Sequence, residues 1–269
     1  GGRGGDHIAA LAANGRVVAA LGRRSVKQAF RQPRFLAPIL IFPSLFLAVN
    51  TGGAGAAVDL PGFPEVNGFL DFELGAAMVQ STLLAGLSGG IALALDIEIG
   101  FTDRLFASPV PRYTVVLGRF AATAVLGLLT VAWFLTAGLI FGAEVESGIP
   151  GVLLLLVMVP LAALGFATIG GALALRSGQA SVVQGLFPIV FVILFLSSAF
   201  FPDALMEEPA STIAAYNPIS FIAEGIRNPI IHEIDWGEIA KGLAGIAIVG
   251  GIGGVLSALA LRSRLRSGG

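Results

Sequence analysis

The chain has 269 residues, of which 55% are hydrophobic and only 12% charged, and its mean hydropathy is +0.88. Soluble domains carry about twice that share of charge, roughly 25%, so this much apolar side chain is expected to meet lipid rather than one soluble core. The formal net charge of −1 gives no reason to expect nucleic acid as a partner, and the lack of cysteine excludes disulfides, thiolate metal sites and a cysteine nucleophile.

In chain order, residues 7–32 are too polar to span a membrane. At 100° per residue Arg16, Arg23, Lys27, Arg31 and Arg34 fall on one stripe, with Ile8, Leu11, Val18, Leu21, Val26 and Ala29 mostly opposite. This is the pattern of a basic amphipathic helix lying in a membrane interface and touching membrane lipids. An ordinary basic flank that only sets topology is the other reading. No cleavable signal pattern precedes the first long apolar run.

A helix needs about 20 apolar residues to cross a hydrocarbon core of about 30 Å. Six runs qualify: 35–51, 72–95, 113–141, 151–175, 180–201 and 238–261. Each must be helical, because lipid offers nothing to unpaired backbone groups. Pro38 and Pro43 should kink the first. The expected fold is therefore all-α and polytopic, with residues 1–34 as a cytoplasmic tail and interfacial helix, 35–261 as the six-span domain and 262–269 as a basic tail.

Charge sets the orientation. With the amino terminus inside, 14 of the 16 Lys and Arg fall in cytoplasmic segments, and only Arg227 and Lys241 fall outside. The outer loops are acidic. Such a bias predicts a multi-pass cell-membrane protein with both termini in the cytoplasm.

Two connections carry more pattern than the spans do. Residues 96–112 read DIEIGFTDRLFASPVPR. Thr102 can cap a short helix, Asp103 suits its dipole, and Pro109 and Pro111 stop it. The segment is either a rigid cytoplasmic knob or a solvated turn. Residues 202–237 are half apolar and broken by four prolines. Residues 213–226 are either a helix that dips into the membrane, tolerated only against protein or water, or an amphipathic cap on the outer surface.

Within the spans, chemistry is sparse. Ionisable residues sit at or near span ends, which counts against a proton relay. There is no P-loop, no GxSxG elbow and no HExxH, so neither ATP hydrolysis nor a bound cofactor or metal is expected on this chain. Gly86 with Gly90, and Gly250 with Gly254, have GxxxG spacing and predict close helix packing. Ser81, Ser88, Ser197, Ser198 and Phe200 are the weak candidates for lining a path.

Two stretches resemble a known family. Residues 98–112, EIGFTDRLFASPVPR, resemble the signature after the second span of type-2 ABC exporter permeases, especially the daunorubicin-resistance type; Glu98, Gly100, Leu105, Ser108, Pro109, Val110 and Arg112 match it. Residues 216–227, YNPISFIAEGIR, resemble that family's Asn-Pro…Arg element through Asn217, Pro218 and Arg227. The resemblance implies an exporter permease that pairs with a second permease and two separate ATPase subunits, which carry ATP and Mg; the near absence of charge in the spans points to an amphipathic or apolar substrate, a lipid, antibiotic or polyketide. It implies that residues 96–112 are a coupling loop docking in an ATPase groove, with Glu98, Gly100, Arg104, Ser108, Pro109 and Arg112 as coupling candidates. Residues 202–237 would be a re-entrant outer element carrying Tyr216, Asn217, Pro218, Glu224 and Arg227, and spans two and five would face the path. Two other classes stand beside this one. A membrane-embedded lipid transferase would need Asp96, Glu98 and Asp103 around a metal, and a secondary transporter would need an ion gradient and no ATPase.

Overall fold

A computed structural model of the chain describes residues 33–101 and 112–267, together with positions 20, 22–24, 26, 27 and 31. Arg16, Arg104, Ser108 and Pro109, and with them most of the apolar side of the interfacial segment and of the expected knob, lie outside the described residues.

Among the described residues nine α-helices and two 3-10 turns form, with no strand. They are α1 (Pro33–Ala54), α2 (Phe69–Glu98), α3 (Arg112–Ile140), α4 (Gly148–Ser177), α5 (Ala180–Gln184), α6 (Leu186–Phe195), α7 (Ala210–Tyr216), α8 (Pro218–Ile231) and α9 (Trp236–Ser267). Five stretches are long and apolar enough to cross a membrane: Leu36–Asp59, Phe69–Glu98, Phe120–Ile140, Gly148–Ser177 and Trp236–Ser263. The chain is an all-α polytopic membrane protein. α1 remains helical through both of its prolines.

The fifth expected span differs. Instead of one helix over 180–201, the apolar stretch Ala180–Phe195 forms two pieces, α5 and α6, that meet at Gly185. Sixteen residues rise only about 24 Å, less than the about 30 Å of hydrocarbon. Residues 196–201 turn instead of continuing, because residues far along the chain capture the last carbonyls of α6, as described below.

α2 is the axis of the bundle. Nearly every position from Phe69 to Ile97 is buried, whichever way it points, because α1, α3, α4, α5 and α8 all pack on it. A helix apolar all round is suited to that place. Small residues set its distance from α4: a Cβ added at Gly90 would stand 2.5 Å from the carbonyl carbon of Gly170. The expected Gly86/Gly90 pair is thus used within the chain, against α4. Of the second pair, Gly254 meets nothing within 4 Å, and the close approach to α4 is made by Gly253 at Thr168 and Ile169. Gly250 also faces α4, where an added Cβ would stand 3.6 Å from the Gly165 Cα, so of that pair only Gly254 points elsewhere; GxxxG spacing does not say which face of a helix meets its neighbour.

α8 lies within the bundle. Ten of its fourteen residues are buried, between α2 on one side and α9 on the other. Asn217 caps it through the Ile219 amide, 2.9 Å from Oδ1, and Pro218 opens it. The backbones of α8 and α9 touch, since a Cβ on Gly225 would stand 2.8 Å from the Gly242 Cα.

The bundle has two distinct ends. At the Glu98 end, Ile97, Leu175, Ala180 and Ala260 share one cluster. At the Arg227 end, the Glu144 amide donates to Asp71 at 3.3 Å, and the Ser147 hydroxyl donates to the His232 carbonyl at 2.7 Å.

Candidate functional site

A groove of about 900 Å³ runs along the side of the bundle. Three walls make it. α1 contributes Pro38, Ile41, Phe42 and Leu45; α2 contributes Leu84, Ser88, Ile91 and Leu95; α5 and α6 contribute Gln184, Phe187 and Phe191. The α2 set follows i, i+4, i+7, i+11 spacing, one face of a helix. Among the described residues Ser88 and Gln184 are its two polar side chains, and no charge lines it. The groove can hold an apolar body and offer it a hydroxyl and an amide.

Phenylalanines close the groove toward the Arg227 end. The Phe42 and Phe191 rings meet edge to face at 5.6 Å, Phe46 lies 5.8 Å from Phe195 and 5.2 Å from Phe200, and Phe195 stacks on Phe200 at 5.0 Å. These separations lie in the range of favourable ring pairs. The seam joins α1 to α6 and to the turn after it.

Beyond the seam lies a polar knot. Arg227, on α8, is 1% exposed. Its guanidinium donates to the carbonyls of Phe72 at 3.2 Å, Ser198 at 3.2 Å and Ala199, and to the Glu224 carboxylate at 2.7 Å, and it lies 3.7 Å from the Phe72 ring centre. Ser198 donates to the same Glu224 oxygen at 2.7 Å. Asn217 donates to the carbonyls of Ile193 at 2.8 Å and Leu196 at 3.2 Å. The last carbonyls of a helix have no intrahelical donor and carry partial negative charge. One amide and one guanidinium from the α8 segment supply what α6 and its turn lack, which is why the helix stops there.

At the Glu98 end the described contacts are directional. The Ala180 amide, first in α5, donates to Glu98 Oε1 at 2.7 Å. Arg24 stands 3.9 Å from the Asp96 carboxylate, and its guanidinium lies 4.0 Å from the Phe101 ring centre. Gly100 ends the α2 segment with a φ of +68°, a conformation that suits glycine.

The expected residues therefore divide. Ser88 lines the groove. Ser81 does not: it shares a hydrogen bond of 2.8 Å with Thr130 on α3. Ser197 donates to the Leu194 carbonyl within its own turn, Ser198 belongs to the Arg227 knot, and Phe200 to the aromatic seam. Of the α8 set, Asn217, Pro218, Glu224 and Arg227 come together, while Tyr216 is 80% exposed. Arg23, Lys27 and Arg31 are exposed. Arg24, Asp96, Phe42, Phe46 and Gln80 carry contacts or burial that residue type alone does not announce. Gln80 is fully buried in mid-α2, on the stripe of Leu84 and Ser88, and its amide makes no hydrogen bond among the described residues. Its one signal in the sequence is an amide in an otherwise apolar run.

The sequence profile of the family described as ABC-2 type transporter matches residues 16–231. A protein described as the transport permease ycf38, of Porphyra purpurea, is 26% identical over 238 residues, covering 84% of this chain and 81% of its own. The ycf38 permease of Cyanophora paradoxa is 24% identical over 172 residues, 62% of this chain and 58% of its own. DrrC of Mycobacterium tuberculosis, described as a doxorubicin resistance ABC transporter permease, is 25% identical over 185 residues, 65% of this chain and 63% of its own.

Proposed function

The chain belongs to the ABC-2 type transporter family and is a membrane subunit of an ABC transporter, and from that premise we propose that it exports an amphipathic or apolar substrate along the groove between α1, α2 and α5–α6. The observation that carries this reading is the groove itself, apolar, uncharged and open along the side of the bundle. A lipid, an antibiotic or a polyketide has the chemistry to lie there. A mobile ion does not, because no carboxylate or cation lines the walls.

The Glu98 end faces the cytoplasm in this reading. The segments at that end hold the basic residues. The two exceptions, Arg227 and Lys241, are each paired with acid, Glu224 at 2.7 Å and Glu238 at 2.6 Å. The positive-inside bias supports this orientation in the cell membrane. ATP and Mg act on two separate ATPase subunits, which take the connection 96–112 and the basic amino-terminal segment as their docking contacts. A second permease chain completes the assembly and covers the open side of the groove. Ligand-driven closure of the ATPases does work on the permease only if the two arrangements of the spans bind them differently.

The transferase reading requires Asp96 and Glu98 to face one metal. Their contacts point apart, one to Arg24 and the other to the Ala180 amide, and the described residues favour no such centre.

The test is capture followed by transport. The tagged chain, purified from its native membrane, is expected to bring a P-loop ATPase with it, and the reconstituted pair to move a fluorescent amphiphile only with ATP. Ser88→Phe, which fills the groove, is expected to leave capture unchanged and lower transport by about tenfold or more. Transport by the chain without any ATPase overturns the reading.

A further inference from the structure

We infer that Glu98 is a transmission latch rather than a docking contact: its carboxylate caps α5 and holds shut the seam between α2 and α5 at the Glu98 end of the groove. The inference rests on the exporter reading for its role in transport, though the latch itself is a property of this chain.

α5 begins without a cap of its own. Gln179, at the N-cap position, makes no side-chain hydrogen bond to it. The first amides of a helix lack intrahelical acceptors and form its positive end. Glu98, 82 residues earlier in the chain, supplies the missing acceptor to Ala180 at 2.7 Å. A carboxylate there makes a charge-assisted bond and meets the helix dipole favourably.

The position of this bond gives it leverage. Leu95, one turn back from Glu98, and Gln184, one turn on from Ala180, both line the groove. The latch therefore closes the seam just beyond the groove's last residues. α5 is five residues long, and Gly185, at φ −61° and ψ −13°, passes it into α6 in helical conformation. A displacement of Ala180 is transmitted to Phe187 and Phe191 and so to a whole wall of the groove.

Glu98 is also where force from the connection 101–111 arrives first. α2 ends at Glu98, and Gly100 turns the chain out of the helix. On the other side of this last turn, Arg24 engages Asp96 and Phe101. Strain placed on the loop by a docked partner draws the Glu98 carboxylate away from the Ala180 amide, which releases α5 and opens the seam. In the latched state the groove is closed at this end.

Two measurements test this. The first is amide hydrogen exchange on the purified chain in lipid nanodiscs. Glu98→Ala is expected to raise exchange at residues 180–183 by about tenfold, with Glu98→Gln in between; unchanged exchange overturns the latch. The second uses the chain with its ATPase. Glu98→Ala is expected to keep ATPase capture within about twofold while transport falls about tenfold. Capture and transport falling in step would make Glu98 a docking residue and overturn the inference. If the unaltered chain neither captures nor needs an ATPase, the exporter reading fails, and the exchange measurement still decides the latch.

Discussion

Arg227 shows how a residue can be legible while its role is not. The resemblance to an Asn-Pro…Arg element singles it out, but apart from Glu224, three residues back, nothing near it in sequence names its partners. Three of them are backbone carbonyls, one of which lies 155 residues away. Carbonyls are present at every position, so composition and spacing carry no information about which are short of a donor. Removing one side of a buried charged cluster costs about 3–5 kcal/mol, because the remaining groups are left uncompensated. Arg227→Met is therefore expected to lower the thermal midpoint of the purified protein sharply, whereas Tyr216→Ala, at an exposed position, should leave it in place. Gln80 is expected to behave the opposite way. Its amide is buried without a partner among the described residues, at a cost of about 1–3 kcal/mol, so Gln80→Leu should raise the midpoint. A native polar group kept at such a cost invites a role beside the groove, and a transport rate that falls in the more stable variant would support one; a midpoint that falls shows that the amide is satisfied after all.

Elements were the most legible layer. Long apolar runs located α1, α2, α3, α4 and α9, because lipid leaves the backbone no choice but the helix. The fifth run was legible as apolar but not in length. Its last six residues, LSSAFF, read like a continuing span, yet Asn217 and Arg227 take the carbonyls that would have continued the ladder. Helix ends set by distant donors are invisible to a hydropathy window. Helix faces are the other gap: spacing found Gly86 and Gly90 but not that α4 is their neighbour. In lipid, with no hydrophobic drive between helices, such contacts rest on close packing. Gly90→Leu forces α2 and α4 apart at Gly170 and should shift the protein toward aggregate in size-exclusion after mild heating. Gly254→Leu, where a Cβ meets nothing within 4 Å, should not.

At the scale of the whole molecule, three regions lie in a line along α2: the Glu98 latch, the apolar groove and the aromatic seam backed by the Arg227 knot. Composition could announce the groove's chemistry but not the line, which exists only once α1, α2, α5 and α6 are packed together. The line implies that the groove is closed at both ends in this arrangement, by Glu98 at one and by Phe42, Phe46, Phe191, Phe195 and Phe200 at the other. Under the proposed export reading, passage along α2 requires the aromatic seam to part, with α1 moving from α6. α1 is suited to move: it packs mainly on α2, and much of it, including Val49 and the groove-lining Ile41 and Leu45, is exposed. The chain contains no cysteine, so paired cysteines can be placed without background. Phe46→Cys with Phe195→Cys, whose parent rings lie 5.8 Å apart, should join under a short bifunctional thiol reagent. The joined protein is expected to capture ATPase normally and to lose transport by about tenfold or more, with recovery when a cleavable linker is cut. Full transport in the joined state would mean that the path leaves the bundle elsewhere, on the side of α2 away from α1.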